Sequence, residues 1–172
     1  MIPYVRQFEF DYGRCDQVSP LIQRVICNNP GPFTYTGTAS FIVGRSAPGS
    51  EVAVIDPGPV DEVQLEALVQ ALEGRRVSHI LVTHRHRDHA PLSRPLAERL
   101  GHPTIWATHS TQDPTYVSGA LDEDLDQDFW PDQTLSDGQV IKGDGWTLEA
   151  MLTPGHSSDH VVFALKEENA LF

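Results

Sequence analysis

A chain of 172 residues with 40% hydrophobic side chains is long enough to bury one core. Its 24 Asp and Glu against 12 Lys and Arg leave a formal net charge of −12, the wrong field for retaining nucleic acid. No apolar run approaches the length of a membrane span, and Met1-Ile2-Pro3-Tyr4-Val5-Arg6 lacks the charged-then-apolar layout of a signal peptide.

The chain reads as a single domain over 1–172, without internal repeats. Short apolar, β-branched runs predict strands over 24–27, 39–43 and 52–55. Pro57-Gly58-Pro59 turns the chain into a helix predicted over 60–72, with Asp61 and Glu62 at its positive end. Val63, Leu65, Leu68, Val69 and Leu72 give that helix a broad apolar face. A buried strand is predicted over 79–83 and a second helix over 92–100, with Pro91 and Pro95 confined to its opening turns. Strands over 104–107, 139–141, 147–152, 160–165 and 170–172 complete the reading. Cys15 and Cys27 form no ligand or redox motif, so free thiols in a reducing cytoplasm are expected.

From Thr111 to Asp137 the chain carries eight acidic residues and no Lys or Arg. A charge run of this kind is ordinarily a solvated surface loop. The alternative is a flap over a site, with Tyr116, Phe129 and Trp130 touching a substrate or partner.

The densest chemistry lies in Thr83-His84-Arg85-His86-Arg87-Asp88-His89, a His-x-His-x-Asp-His pattern. Neutral imidazole and ionised carboxylate are the ligands that zinc, and to a lesser extent iron or manganese, select. The preceding strand places His84 and His86 on the loop leaving its carboxyl end, and Asp88 and His89 near a helix start. Adjacent residues point in different directions, so two neighbouring sites explain the spacing better than one. A first ion would use His84 and His86, a second Asp88 and His89, and each needs further donors. His156 is the best of these, since Pro154-Gly155 again puts it on a strand-end loop. His160 is expected to support the ligands or pack, and Asp56 to accept a hydrogen bond that fixes the loop or a histidine tautomer. His79, His102 and His109 have no partners nearby in the sequence and are expected to be structural or exposed.

With these motifs the chain resembles the metallo-β-lactamase-fold superfamily. His84, His86, Asp88 and His89 match its signature, and His156 in Thr153-Pro154-Gly155-His156 matches its next metal histidine. Ile55-Asp56-Pro57-Gly58 resembles the acidic strand end that supports the site from behind. Asn28-Asn29-Pro30-Gly31-Pro32-Phe33, Arg87 and Gly155-His156-Ser157-Ser158-Asp159-His160 look most like the lactamase-beta-2-like branch, close to glyoxalase-II-type hydrolases. Arg85 departs from the pattern, because many relatives carry a neutral or aromatic residue there.

The resemblance implies an α/β fold, the αββα sandwich, with a mixed sheet and flanking helices. It implies zinc, as one or two ions, and a metal-activated hydroxide that attacks a thioester, ester or lactam carbonyl of a small-molecule substrate, with Asp88 orienting the water. Arg85 and Arg87 would meet an anionic substrate or pair with the acidic loop. Two alternatives stand beside this one. The first is a metal-dependent endoribonuclease, which needs a basic surface that this sequence does not show. The second is a metal-binding fragment without turnover.

The resemblance further implies a bridging aspartate shortly after Asn169-Ala170-Leu171-Phe172 and a last histidine further on, both beyond this sequence. The chain is therefore expected to be the amino-terminal portion of the fold and to hold about one metal or less. It is also expected to leave an apolar sheet face and a strand edge for a second copy or a carboxyl-terminal segment.

Overall fold

In the computed structural model, residues 8–108 and 125–172 are described. Four strands, β1 (Cys15–Ser19), β2 (Ile22–Ile26), β3 (Ala39–Val43) and β4 (Glu51–Ile55), run as an antiparallel meander. The chain then crosses through α1 (Glu62–Ala71) to β5 (Arg76–Leu81), which lies parallel to β4. A second crossover through α2 (Ser93–Arg99) reaches β6 (Thr104–Ala107), parallel to β5. The short β7 (Gln133–Thr134) is the outer strand of this seven-stranded mixed sheet. A second, antiparallel sheet contains β8 (Val140–Gly143), β9 (Trp146–Leu152), β10 (Val161–Leu165) and β11 (Ala170–Leu171).

Successive strand residues point to opposite faces, so the large sheet feeds two cores. Val52, Val54, Ile80, Val82 and Ile105 pack against Leu65, Leu68, Leu72, Leu92 and Leu96 on the helix side. Val43, Ala53, Ile55 and Leu81 meet Trp146, Leu148, Ala150, Val161, Phe163 and Leu165 of the second sheet. The result is three layers, helices on a sheet on a sheet. The apolar sheet face expected to stand open is thus covered by β8–β11, whereas β11 is the outer strand of its sheet and Leu171 is exposed.

Trp146 fixes the spacing between the sheets. Its ring is fully buried, and Nε1 donates to the Glu51 carbonyl across the interface at 3.0 Å. Gly143 is its cross-strand partner, and a Cβ there would lie 2.0 Å from the indole, so the position admits no side chain.

Local differences from the predicted elements have physical reasons. Asp61 caps α1 by accepting from the Gln64 N–H at 2.8 Å, so the helix begins at Glu62 rather than two residues earlier. Val63 sits opposite the Leu65–Leu68–Leu72 stripe and is 73% exposed; Gln64 takes the buried flank instead, donating to Ser40 Oγ at 3.0 Å. β1 and β7 were not predicted because their residues are mostly exposed and show no apolar alternation.

Candidate metal centre

Parallel pairing aligns the carboxyl ends of β4, β5 and β6, and strand-end loops at such an edge are where α/β folds gather ligands. Asp56 follows β4 with a left-handed φ of 49°, a conformation that short polar residues tolerate best. Its buried carboxylate accepts from the Thr83 N–H at 2.8 Å, from Thr83 Oγ1 at 2.7 Å and from His89 Nδ1 at 2.8 Å. Burial opposes its charge, but His89 and these bonds prevail and hold the acid below its ordinary range.

That network sets a tautomer. The Thr83 hydroxyl gives its only proton to Asp56, so at 2.9 Å it must accept from His84 Nδ1. His84 Nε2 is then left as a bare lone pair. It is buried and has no hydrogen-bond partner among the described residues, the state expected of an imidazole built to ligate a cation. Desolvation, reinforced by the neighbouring His89, lowers the His84 pKa to about 3, so the ring stays neutral at physiological pH.

Beside this ring the structure gathers His86 and His156. One donor atom from each of His84, His86 and His156 lies within 4.8 Å of the other two. The ring centroids are 4.6 Å apart for His84–His86, 4.9 Å for His84–His156 and 4.8 Å for His86–His156. His84 and His86 are buried, whereas His156 stands exposed on the β9–β10 loop. Three imidazoles this close together, one of them with a buried lone pair unpartnered among the described residues, fit a zinc-type ion, which would take a further ligand.

Asp88 and His89 form a second, tighter unit. His89 Nε2 lies 3.2 Å from Asp88 Oδ2 while Nδ1 bonds Asp56, so the ring bridges two carboxylates. Burial disfavours its charge, but the Asp56 charge and hydrogen bond, with Asp88, overcome this and raise its pKa to about 10. Asp88 is held at about 2: burial raises it, but the bond to His89 outweighs this and Thr38 Oγ1, 3.2 Å away, adds to the lowering. Thr38 is itself gripped by the Asn29 side chain, which accepts from its N–H at 2.8 Å.

The remaining candidates fall in several places. His160 stands beside the cluster, its ring 5.2 Å from that of His84, with Nδ1 2.8 Å from Thr153 Oγ1. The Arg85 side chain pairs with Asp159, Nε lying 3.0 Å from Oδ2, while its carbonyl accepts from the Asp126 N–H of the acidic segment at 2.7 Å. Asp159 stands in the 155–160 string but was given no role from the sequence. Arg87 is exposed. Of the acidic segment, Leu125 forms a bridge with His86 and brings the chain against the site. Phe129, expected in a flap or solvated loop, is buried in the helix-side core, while Trp130 is 60% exposed. His79 is half-buried between Trp106 and Trp146. His102 is exposed. His109 and Tyr116 lie outside the described residues.

Comparison with known proteins agrees with this geometry. The profile of the Metallo-beta-lactamase superfamily matches residues 34–172. The chain belongs to that superfamily. It is 36% identical over 159 residues to an atrochrysone carboxyl ACP thioesterase of Paecilomyces divaricatus, covering 91% of this chain and 45% of the relative. It is 35% identical over 168 residues to one from Aspergillus fumigatus, covering 94% and 47%. A lactamase-like protein of Pestalotiopsis microspora is 36% identical over 159 residues, at 91% and 44% coverage. The chain spans about half the length of the curated relatives it matches. Among solved structures, a beta-lactamase domain protein from Burkholderia ambifaria superposes with a TM-score of 0.72 at 19% identity, over 97% of this chain and 58% of that one. The metallo-beta-lactamase fold is therefore shared, as an α/β sandwich. No helix among the described residues is long and apolar enough to cross a membrane.

Proposed function

We propose that this chain carries the metal centre of a zinc-dependent thioester hydrolase. The observation that supports the reading most is the clustering of His84, His86 and His156, with one donor atom of each within 4.8 Å of the other two, beside the buried, unpartnered Nε2 of His84. Several of its relatives are named as acyl-carrier-protein thioesterases, which favours a thioester over an oxygen ester or lactam.

Zinc at such a centre supplies hydroxide at neutral pH and an electrophile for the oxygen that gains charge, and iron or manganese would suit the same donors. The chain's own residues prepare the site. Asp56, acting through the Thr83 hydroxyl, keeps His84 Nε2 unprotonated. Asp88 remains ionised at neutral pH, so its carboxylate can accept a hydrogen from the attacking water and orient it. Asp88 and His89 are the donors available to a second ion. The free thiols Cys15 and Cys27 favour a reducing compartment, the cytoplasm, which cell fractionation would test.

The test is hydrolysis by the full-length protein, loaded with zinc, of an acyl-carrier-protein thioester, an oxygen ester, a lactam and single-stranded RNA. Thioester turnover that chelation abolishes and zinc restores is expected. RNA cleavage without thioester hydrolysis would assign the endoribonuclease activity instead. Bound metal with no turnover on any substrate would leave metal binding alone.

A further inference from the structure

We propose that Asp159 is a positioning residue for His156, acting through a buried clamp on Arg85. The inference rests on the three-histidine metal site and adds to it the element that holds its most exposed member in place.

His84 and His86 are held by burial, but His156 is not. From Leu152 to Ser158 every residue except Ser157 is exposed, and a Cβ at Gly155 would meet nothing within 4 Å. A loop so lightly packed needs another reason to present one imidazole at a fixed point. Asp159 supplies it, three residues beyond the ligand. Its side chain is 1% exposed, and one oxygen, Oδ2, accepts from both the Arg85 N–H at 3.1 Å and Arg85 Nε at 3.0 Å. The Asp159 carbonyl accepts from Thr108 Oγ1, and the neighbouring Val161 N–H donates to the Thr83 carbonyl at 2.9 Å. The loop is thereby fastened to residues on either side of His84.

Charge supports the same role. Arg85 lies between two of the metal donors, where an unpaired guanidinium would repel a divalent cation. Burying Asp159 is itself costly unless the carboxylate is paired, and Arg85 is the cation that pairs it. The departure at Arg85 thus has a partner 74 residues away. The second Asp159 oxygen, Oδ1, is buried without a partner among the described residues, so the contacts of this carboxylate there are those to Arg85.

The test is metal binding, read by competition with a chromogenic chelator and by the visible spectrum of the cobalt form. Asp159→Asn is expected to weaken cobalt and zinc binding about 10- to 100-fold, the range for groups that orient a ligand. The metal-free circular dichroism spectrum is expected to stay unchanged. In a His156→Ala background the same substitution should have a clearly smaller effect, because the ligand through which Asp159 acts is gone and only the unpaired Arg85 charge remains. Arg85→Gln, which keeps the main-chain N–H, should weaken binding in the same direction and by less, and serves if Asp159→Asn does not fold. Unchanged affinity in Asp159→Asn, or in Arg85→Gln should the former not fold, overturns the proposal. So does a full effect that persists without His156. Failure of the unsubstituted protein to bind cobalt or zinc overturns the metal reading itself, a separate outcome.

Discussion

The two halves of the His-x-His-x-Asp-His motif stand in opposite electrostatic states, although only a few residues separate them. In the first half, His84 is neutral, stripped of solvent and left with a lone pair that no group among the described residues satisfies. In the second, His89 is wedged between Asp56 and Asp88, and the trio is satisfied internally. One backbone turn makes the difference: the His89 and Ala90 N–H groups both bond the His86 carbonyl, swinging Asp88 and His89 toward Asp56 and Thr38. A cation entering the first half removes an unmet need. One entering the second must displace an existing ion pair. Ligand identity alone therefore does not rank the sites, whereas the prior engagement of each ligand does.

The largest expected effect comes from removing the acid shared by both halves. Asp56→Ala leaves the Thr83 N–H without its acceptor and the half-buried His89 with Asp88 alone, and should cost about 2–3 kcal/mol in urea denaturation of chelator-treated protein. A loss below about 1 kcal/mol would mean the two halves do not depend on Asp56. Next, His84→Ala should weaken the first equivalent of zinc by about a hundredfold or more, since a ligand should matter at least as much as the groups that orient one. Isothermal titration reads this directly, and equal affinities would break the distinction between the halves. In the unsubstituted chain one equivalent should bind firmly and a second at least about tenfold more weakly, because a tight site needs more donors than Asp88 and His89 supply. Elemental analysis after desalting that finds two retained ions would sink that ranking.

The pH profile of the chelated protein sharpens the second half. His89 rises from 6.5 to about 10 on folding, so its contribution is complete below 6.5 and is lost as pH climbs toward 10. Asp88 falls from 3.8 to about 2, so its contribution is complete above 3.8 and is lost as pH drops toward 2. His84 falls from 6.5 to about 3 on folding, so its neutral, buried state is increasingly penalised as pH drops below 6.5. Stability should therefore peak near pH 6.5 and decline on both sides, and His89→Gln should flatten the alkaline arm. The smallest effect belongs to Thr38→Val, which removes one hydroxyl from Asp88 and should cost about 1 kcal/mol or less. Its influence should appear at the second equivalent of metal and not at the first.

Much of the scaffold was legible because it rests on local signals. β3 and β6 occupy the predicted residues, since short β-branched runs in a sheet covered on both faces leave little choice. β5 is shifted toward the amino terminus, ending at Leu81 rather than Thr83, because the Thr83 N–H is taken by the Asp56 side chain instead of a neighbouring strand. The strand at β1 gave no signal, as it is held by backbone pairing to β2 and buries little. In the site, spacing picked out His84, His86 and His156, and Asp56 stands where an acceptor was expected. Spacing could not show that His89 is already spoken for, nor that Arg85 reaches Asp159. Those facts depend on residues distant in sequence whose side chains carry no periodic mark.

His84 and His86 leave the seven-stranded sheet, while His156 leaves the four-stranded one. An ion shared by the three would act as a crosslink between the layers, formed last and only when they are docked. Its binding free energy adds to the docking, about 2.7 kcal/mol when free metal stands a hundredfold above its dissociation constant. Neither sheet alone keeps all three imidazoles, so an ion freed by a momentary parting of the layers has no complete set of donors to return to. Metal supply would then govern how long the sandwich stays closed, and chelators would act at the pace at which it breathes.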